Sequence, residues 1–244
     1  MLKLRNPLFV AIDTADLDEA VRLAEMLKDV AGGLKLGLEF FTAFGPDGVA
    51  RIAEFDLPLF IDLKFHDIPN TVSGAVRSLM RMRPAMFTVH AFGGLEMLRA
   101  AADTAALEAD RLGLPRPWVL GVTVLTSLDA GDLDVLGVEG STHKVVARLA
   151  RLAEKAGLDG IVCAPDEIST ARSTLGEKFR LVVPGIRPKG AEMHDQKRVT
   201  GPREAIQLGA DVLVVGRPIT RSDDPVFAAR SILGALERAE GQEG

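Results

Sequence analysis

Apolar runs of four to seven residues alternate along this chain with longer stretches in which apolar positions recur every three or four residues. Leu8 to Ile12 followed by Asp13 reads as a buried strand that ends in an acid. Asp16 is placed to cap the next helix, with Glu19 three positions on and Leu17, Val21, Ala24, Leu27 and Val30 at helical spacing. The alternation predicts further strands at 34–38, from Leu59 into Asp62, and at 86–90, 118–124, 161–163, 179–183 and 212–215. It predicts helices at about 46–55, 69–82, 95–112, 142–156, 165–175, 202–208 and 225–238, with Pro69 near the first turn of its helix and a polar loop after the fifth strand.

Eight strand-plus-helix units in 244 residues predict one closed parallel (β/α)8 barrel, a TIM barrel of the α/β class, spanning 1–244 as a single domain. The structural alternative, a doubly wound open sheet, should carry a glycine-rich turn after its first strand, where this chain has Asp13-Thr14-Ala15-Asp16. No linker or low-complexity segment divides the chain, and only 241–244 reads as frayed. Composition is that of an ordinary globular protein, 47% hydrophobic and 26% charged. The net charge of -5 gives no electrostatic reason to expect nucleic acid or an anionic membrane as partner, so an anionic substrate needs local cations. The single Cys163 excludes an internal disulfide and a multi-cysteine metal site, and its apolar neighbours make it a core residue. Nothing reads as a signal peptide and no apolar run approaches the roughly 20 residues of a membrane span, so a cytoplasmic protein is expected.

The charges at the strand ends carry the chemistry. Alternation along the third strand puts Asp62 and Lys64 on one face while Leu63 points the other way. A carboxylate and an ammonium are costly to take out of water together, and Asp67 adds a third charge. Active sites of such barrels form at the C-terminal ends of the strands, where this chain has Asp13, Lys35, Asp62, Lys64, His90, Thr126, Arg187 and Arg217. Singly, each fits a satisfied buried polar group, and His90 is read that way; together they outline a pocket with an acidic–basic centre and a cationic rim. The rim is Pro184-Gly185-Ile186-Arg187 and Val215-Gly216-Arg217-Pro218, a glycine and then an arginine at the ends of strands seven and eight. Glycine lets backbone N–H groups approach and arginine meets phosphate bidentately, although two ordinary turns would read the same. The long polar segment at about 187–201, with Pro188, Gly190 and Gln196, is expected to close over that phosphate as a lid.

At the centre, Lys35, Asp62, Lys64 and Asp67 form an array of two cations and two anions. Negative neighbours favour a charged lysine, which argues against a Schiff base and for an ammonium that delivers a proton to a carbanion-like centre. A structural ion-pair network is the alternative. Asp62 and Asp67 could hold Mg²⁺, but Lys35 and Lys64 would crowd it, and the four histidines His66, His90, His143 and His194 form no HExxH or clustered set. A site without metal or cofactor is expected.

The block Asp62-Leu63-Lys64-Phe65-His66-Asp67-Ile68-Pro69-Asn70-Thr71 resembles the signature of the orotidine 5′-phosphate decarboxylase family in its bacterial form. The match continues in order through 11–13, 34–37, 89–91, 122–127, 184–188, 195–198 and 215–220, and so spans nearly the whole chain. The resemblance implies a homodimeric barrel that converts orotidine 5′-monophosphate to UMP and CO₂, the last step of pyrimidine synthesis, with no cofactor. It implies that Lys64 protonates C6 and that Asp62 sits beside the departing carboxylate. Lys35 would bond Asp62 and the ribose hydroxyls, where Asp13 also binds. Asp67, Ile68 and Thr71 would reach across the dimer interface into the partner's site. Thr126 would read the pyrimidine edge, Gln196 would bridge base and phosphate, and Arg187, Gly216 and Arg217 would hold the phosphate.

Two departures from the family pattern are Phe92, where a small residue is more usual, and Thr200-Gly201-Pro202, where Met-Thr-Pro is usual. The rival within the superfamily is a Mg²⁺-dependent sugar-phosphate decarboxylase or aldolase, which shares the Asp-x-Lys-x-x-Asp pattern but has an acid where this chain has Lys35. A non-catalytic phosphate-ligand-binding barrel is the rival from another class, and would be expected to lose the central charges.

Overall fold

Strand parity sorts the side chains into two cores. A computed structural model of the chain describes residues 4–187 and 200–237. Its strands are β1 (Leu8–Ile12), β2 (Gly33–Leu36), β3 (Leu59–Phe65), β4 (Met86–His90), β5 (Trp118–Val122), β6 (Gly160–Val162), β7 (Arg180–Pro184) and β8 (Val212–Val215). They pair in parallel in sequence order, and β8 closes on β1. The helices between and after them are α1 (Leu17–Leu27), α2 (Leu38–Ala53), α3 (Pro69–Leu79), α4 (Gly94–Leu112), α5 (Ala130–Val135), α6 (Thr142–Lys155), α7 (Ile168–Leu175), α8 (Pro202–Gln207), α9 (Arg217–Thr220) and α10 (Pro225–Glu237). The expected (β/α)8 barrel is the one observed.

Because side chains alternate along a strand, Phe9, Ala11, Phe60, Met86, Leu120, Val182, Val212 and Val214 fill the barrel interior. Their neighbours Leu8, Val10, Ile12, Leu34, Leu36, Ile61, Phe87 and Val89 point outward and belong to the larger core shared with the helices. Interior filling is tight: a Cβ on Gly33 would lie 2.2 Å from the Phe9 ring, so glycine there makes room for phenylalanine on the next strand. The first helix starts as its sequence indicates, with the Asp16 carboxylate accepting from the Glu19 amide at 3.1 Å.

Several boundaries differ from those predicted. The second helix begins at Leu38, eight residues before the expected start near 46. Gly45, at φ 57°, kinks it, and the Gly45-Pro46 step looks in sequence like a beginning when it is a bend between two helical segments. The fifth strand stops at Val122 rather than 124, and the polar loop beyond it contains α5. That short helix is capped by Asp129, whose carboxylate accepts from the amides of Gly131 and Asp132.

The N-terminal ends of the strands are held by ion pairs rather than by chemistry. Arg172 donates to the carbonyls of Gly176, Phe179 and Gly209 and to Asp211 at 2.7 Å. Asp211 also takes Arg180 at 2.7 Å and the Leu181 amide at 2.9 Å, while the Arg180 guanidinium lies over Trp118, 5.2 Å from the ring centre. No described helix is long and apolar enough to cross a membrane. Arg172→Ala would remove the donor to the Phe179 and Gly209 carbonyls and leave Asp211 with Arg180 and the Leu181 amide, and is expected to destabilise the fold by about 1–3 kcal/mol. A urea midpoint unchanged from wild type would show that the clamp carries no stability.

Candidate active site

The C-terminal ends of the strands open into a cavity of about 600 Å³. Asp13, Lys35, Asp62, Lys64, Thr126, Arg187, Gly216 and Arg217 all line it. Asp13 follows β1 directly, Lys35 lies within β2, and Asp62 and Lys64 lie within β3. The Lys64 ammonium donates to Asp62 Oδ2 at 2.8 Å.

The strand that carries this pair is not regular. Against β4, Phe60 pairs with Met86 and Ile61 with Phe87, but the next paired residues are Phe65 and Val89. Three residues of β3 thus stand opposite one residue of β4, and Lys64 sits in this bulge at φ 52°, a conformation that a lysine adopts only when its surroundings hold it there. Leu63 and Phe65 pack against the outer core, which leaves Asp62 and Lys64 to the cavity.

Sequence reasoning missed two residues at this centre. Thr88, fully buried on β4, donates its hydroxyl proton to Asp62 Oδ1 at 2.9 Å and accepts the Lys64 amide at 2.9 Å. Gly37, just after β2, is the other. A Cβ there would lie 2.7 Å from Asp13 Oδ1 and 2.9 Å from the Lys35 ammonium, so glycine keeps open the space in which those two meet. A threonine at an inward position of a strand and a glycine two residues after a lysine were the available signals.

Within one chain the charges of the expected array stand as two separate pairs. Lys35 donates to both oxygens of Asp13 at 2.8 Å, not to Asp62 as the resemblance implied. The reason is register: Lys35 stands beside Ala11 across the β1–β2 ladder, within reach of an acid two residues further on, while the Asp62 oxygens are engaged by Lys64 and Thr88. Asp67 belongs to neither pair. It is exposed, with Oδ1 accepting from the Ile68 amide at 2.7 Å, and neither it, Ile68 nor Thr71 lines the cavity of its own chain. Ile68 is 65% exposed.

His90 was expected to be a satisfied polar group, but its Nδ1 is buried without a hydrogen-bond partner among the described residues. The ring instead stacks on His66, 5.3 Å between centres, with Phe92 at 5.6 Å on a tilted approach. Burial, and after it the nearby His66 and Lys64, hold its pKa below the usual histidine value. Cys163 is buried in the cavity wall, and its burial pushes the thiol pKa up, which suits an inert residue.

The far side of the cavity is cationic. Arg187 is only 8% exposed, and its Nε has no partner among the described residues. Burial first, and the neighbouring Arg217 guanidinium second, lower its pKa. A buried guanidinium with an open donor, set beside a second guanidinium, favours an anion, which is how a phosphate site is built. Beside them Gly216 leaves space, since a Cβ there would come no closer than 3.5 Å to Ala11. The backbone of Arg187 donates to the Thr200 carbonyl at 3.1 Å, so the two ends of the segment expected as a lid meet. Gln196 and the rest of that segment, 188–199, lie outside the described residues.

Comparison with known proteins covers nearly the whole chain. Residues 6–232 match the family model described as orotidine 5′-phosphate decarboxylase / HUMPS family. A protein of Rhodospirillum rubrum named orotidine 5′-phosphate decarboxylase is 52% identical over 233 residues, 95% of this chain and 94% of its own length. One of the same name from Paramagnetospirillum magneticum is 51% identical over 231 residues, 95% of this chain and 98% of its own. Among solved structures, orotidine 5′-phosphate decarboxylase from Lactobacillus acidophilus is similar at a TM-score of 0.83 and 32% identity, covering 95% of this chain and 99% of its own. An uncharacterized conserved protein from Geobacillus kaustophilus is similar at 0.82 and 32%, covering 94% and 100%.

The paired arginines predict that inorganic phosphate binds on its own. Phosphate at about ten times its dissociation constant should raise the melting temperature by roughly 3–6 °C relative to chloride of equal ionic strength. Arg187→Ala should abolish the shift, and an undiminished shift in that variant would sink the assignment.

Proposed function

Because the chain belongs to the orotidine 5′-phosphate decarboxylase / HUMPS family, we propose that it converts orotidine 5′-monophosphate to UMP and CO₂, the last step of UMP synthesis. One observation carries the proposal. A single cavity holds the Asp62–Lys64 pair at the end of β3 and the Arg187–Arg217 cluster at the ends of β7 and β8. An ammonium and a phosphate site in one cavity are what a nucleotide reacting at its base requires. The sugar-phosphate rival is disfavoured by Lys35, a cation bound to Asp13 where that chemistry needs an acid.

In the proposed reaction the C6–carboxylate bond breaks, CO₂ departs and the electron pair stays on C6. The ring delocalises that pair poorly, so a fixed ammonium beside C6 stabilises the developing charge and then supplies the proton. Lys64 is that acid, and the neutral amine recovers its proton from solvent. Asp62 orients Lys64 and stands beside the leaving carboxylate. Asp13 and Lys35 meet the ribose hydroxyls, and Thr126 meets the pyrimidine edge. Arg187, Gly216 and Arg217 hold the phosphate, whose binding energy, remote from the reacting bond, is spent on positioning the base. The lid at about 187–201, with Gln196 bridging base and phosphate, is part of the proposal and is supported by its two described ends.

The dimer enters through Asp67, Ile68 and Thr71. Their exposure, and their absence from their own chain's cavity, support a role in the site of a second copy. Cytoplasmic location belongs to the same proposal.

The direct test is loss of orotidine 5′-monophosphate absorbance, with and without chelator. Turnover insensitive to chelator is expected, whereas activity that requires Mg²⁺ and accepts a pentulose phosphate would favour the rival. Lys64→Ala should lower kcat by at least about 10³-fold while UMP binding stays largely intact; near-normal turnover would remove Lys64 as the acid. Mixing Lys64→Ala with Asp67→Ala subunits should restore roughly a quarter of wild-type activity, the statistical share of intact sites in a two-fold dimer. No recovery on mixing would leave the shared site without support.

A further inference from the structure

Lys64 is held at both ends by one closed circuit of hydrogen bonds. Its backbone amide donates to Thr88 Oγ1 at 2.9 Å, the Thr88 hydroxyl donates to Asp62 Oδ1 at 2.9 Å, and Asp62 Oδ2 accepts the Lys64 ammonium at 2.8 Å. The direction of each bond is fixed by chemistry. An amide can only donate, an ionised carboxylate can only accept, and a hydroxyl has one proton to give and lone pairs to receive. Threonine therefore fits the middle of the circuit with its single proton committed to Asp62.

The circuit answers a need created by the bulge. Between the paired residues Ile61–Phe87 and Phe65–Val89 the β3–β4 ladder is broken, and Lys64 sits there at φ 52°. A backbone amide lifted out of a ladder inside a protein is costly without a replacement acceptor. Thr88, the β4 residue in the gap, supplies that acceptor from its side chain. The same atom then fixes the carboxylate that aims the ammonium, so the backbone conformation of Lys64 and the direction of its side chain are tied together.

We propose that Thr88 is a positioning residue for the decarboxylation, acting through Asp62 and Lys64 and not on the substrate, from which its full burial separates it. This rests on the reading of Lys64 as the proton donor. It predicts a division that a merely structural role would not produce. Without the hydroxyl the fold persists and the substrate binds, but the ammonium loses its fixed direction. Misplacement of a reacting group by about 1 Å can cost on the order of 10²-fold in rate.

The experiment compares Thr88→Val, which keeps the branched shape and removes the hydroxyl, with Thr88→Ser, which keeps the hydroxyl. In Thr88→Val, kcat is expected to fall by about 10- to 100-fold, with KM for orotidine 5′-monophosphate and the affinity for UMP changed by less than about threefold. Thr88→Ser should recover kcat to within about threefold of wild type. A second readout needs no turnover: exchange of the Lys64 amide hydrogen should accelerate by about tenfold or more in Thr88→Val and stay near wild type in Thr88→Ser. Unchanged kcat in Thr88→Val, equal losses in the two variants, or a rise in KM as large as the fall in kcat would each overturn the proposal. If Thr88→Val does not fold, Thr88→Ala against Thr88→Ser gives the same comparison. Should wild type fail to decarboxylate the nucleotide, the functional reading falls, and Lys64 exchange still decides whether Thr88 positions that residue; unchanged exchange in Thr88→Val would then overturn it.

Discussion

A charge can sit at the end of an apolar barrel only if something replaces the water it gives up. That constraint orders the upper half of this molecule. Lys35, almost wholly buried, meets both oxygens of Asp13. Asp62 divides its two oxygens between Lys64 and Thr88. Arg187 at the end of β7 breaks the pattern, since it is buried beside another cation with its Nε unpartnered among the described residues. Where the rule is satisfied internally the groups are held ready; where it is left open, an anion from outside completes it.

The bulge in β3 shows how local strain is put to use. A regular strand would carry Asp62 and Lys64 to the same face at a fixed spacing. The irregular one lets the lysine ammonium return onto the carboxylate while its backbone is secured by a neighbouring side chain. The conformational cost at φ 52° is offset by hydrogen bonds that a more flexible lysine would not keep.

Much of this was legible in the sequence. The barrel followed from repeated switching between strand and helix periodicity, and the site followed from charges placed where apolar runs end, as at Asp62, Lys64, Arg187 and Arg217. What escaped depends on contacts between strands. Lys35 has two acids within sequence-plausible reach, and only the β1–β2 register selects Asp13. Thr88 looks like any β-branched strand residue until the gap opposite it is known. Lys64 carries no glycine or turn signal to announce a positive φ. Gly37 has its meaning only once the Asp13–Lys35 pair is seen beside it. The early start of α2 was hidden because Gly45-Pro46 marks a kink with the same residues that mark a beginning.

The clamp at the opposite end, where Arg172 and Arg180 converge on Asp211, has a consequence for how such a chain can change. Between it and the cavity lies the interior filling of Phe9, Phe60, Leu120 and Val182. Sites so separated tend to contribute independently, with effects that add. Substitutions around the cavity can therefore be tolerated on stability reserves held at the other pole, so a lineage with this architecture can explore new substrates without first becoming fragile.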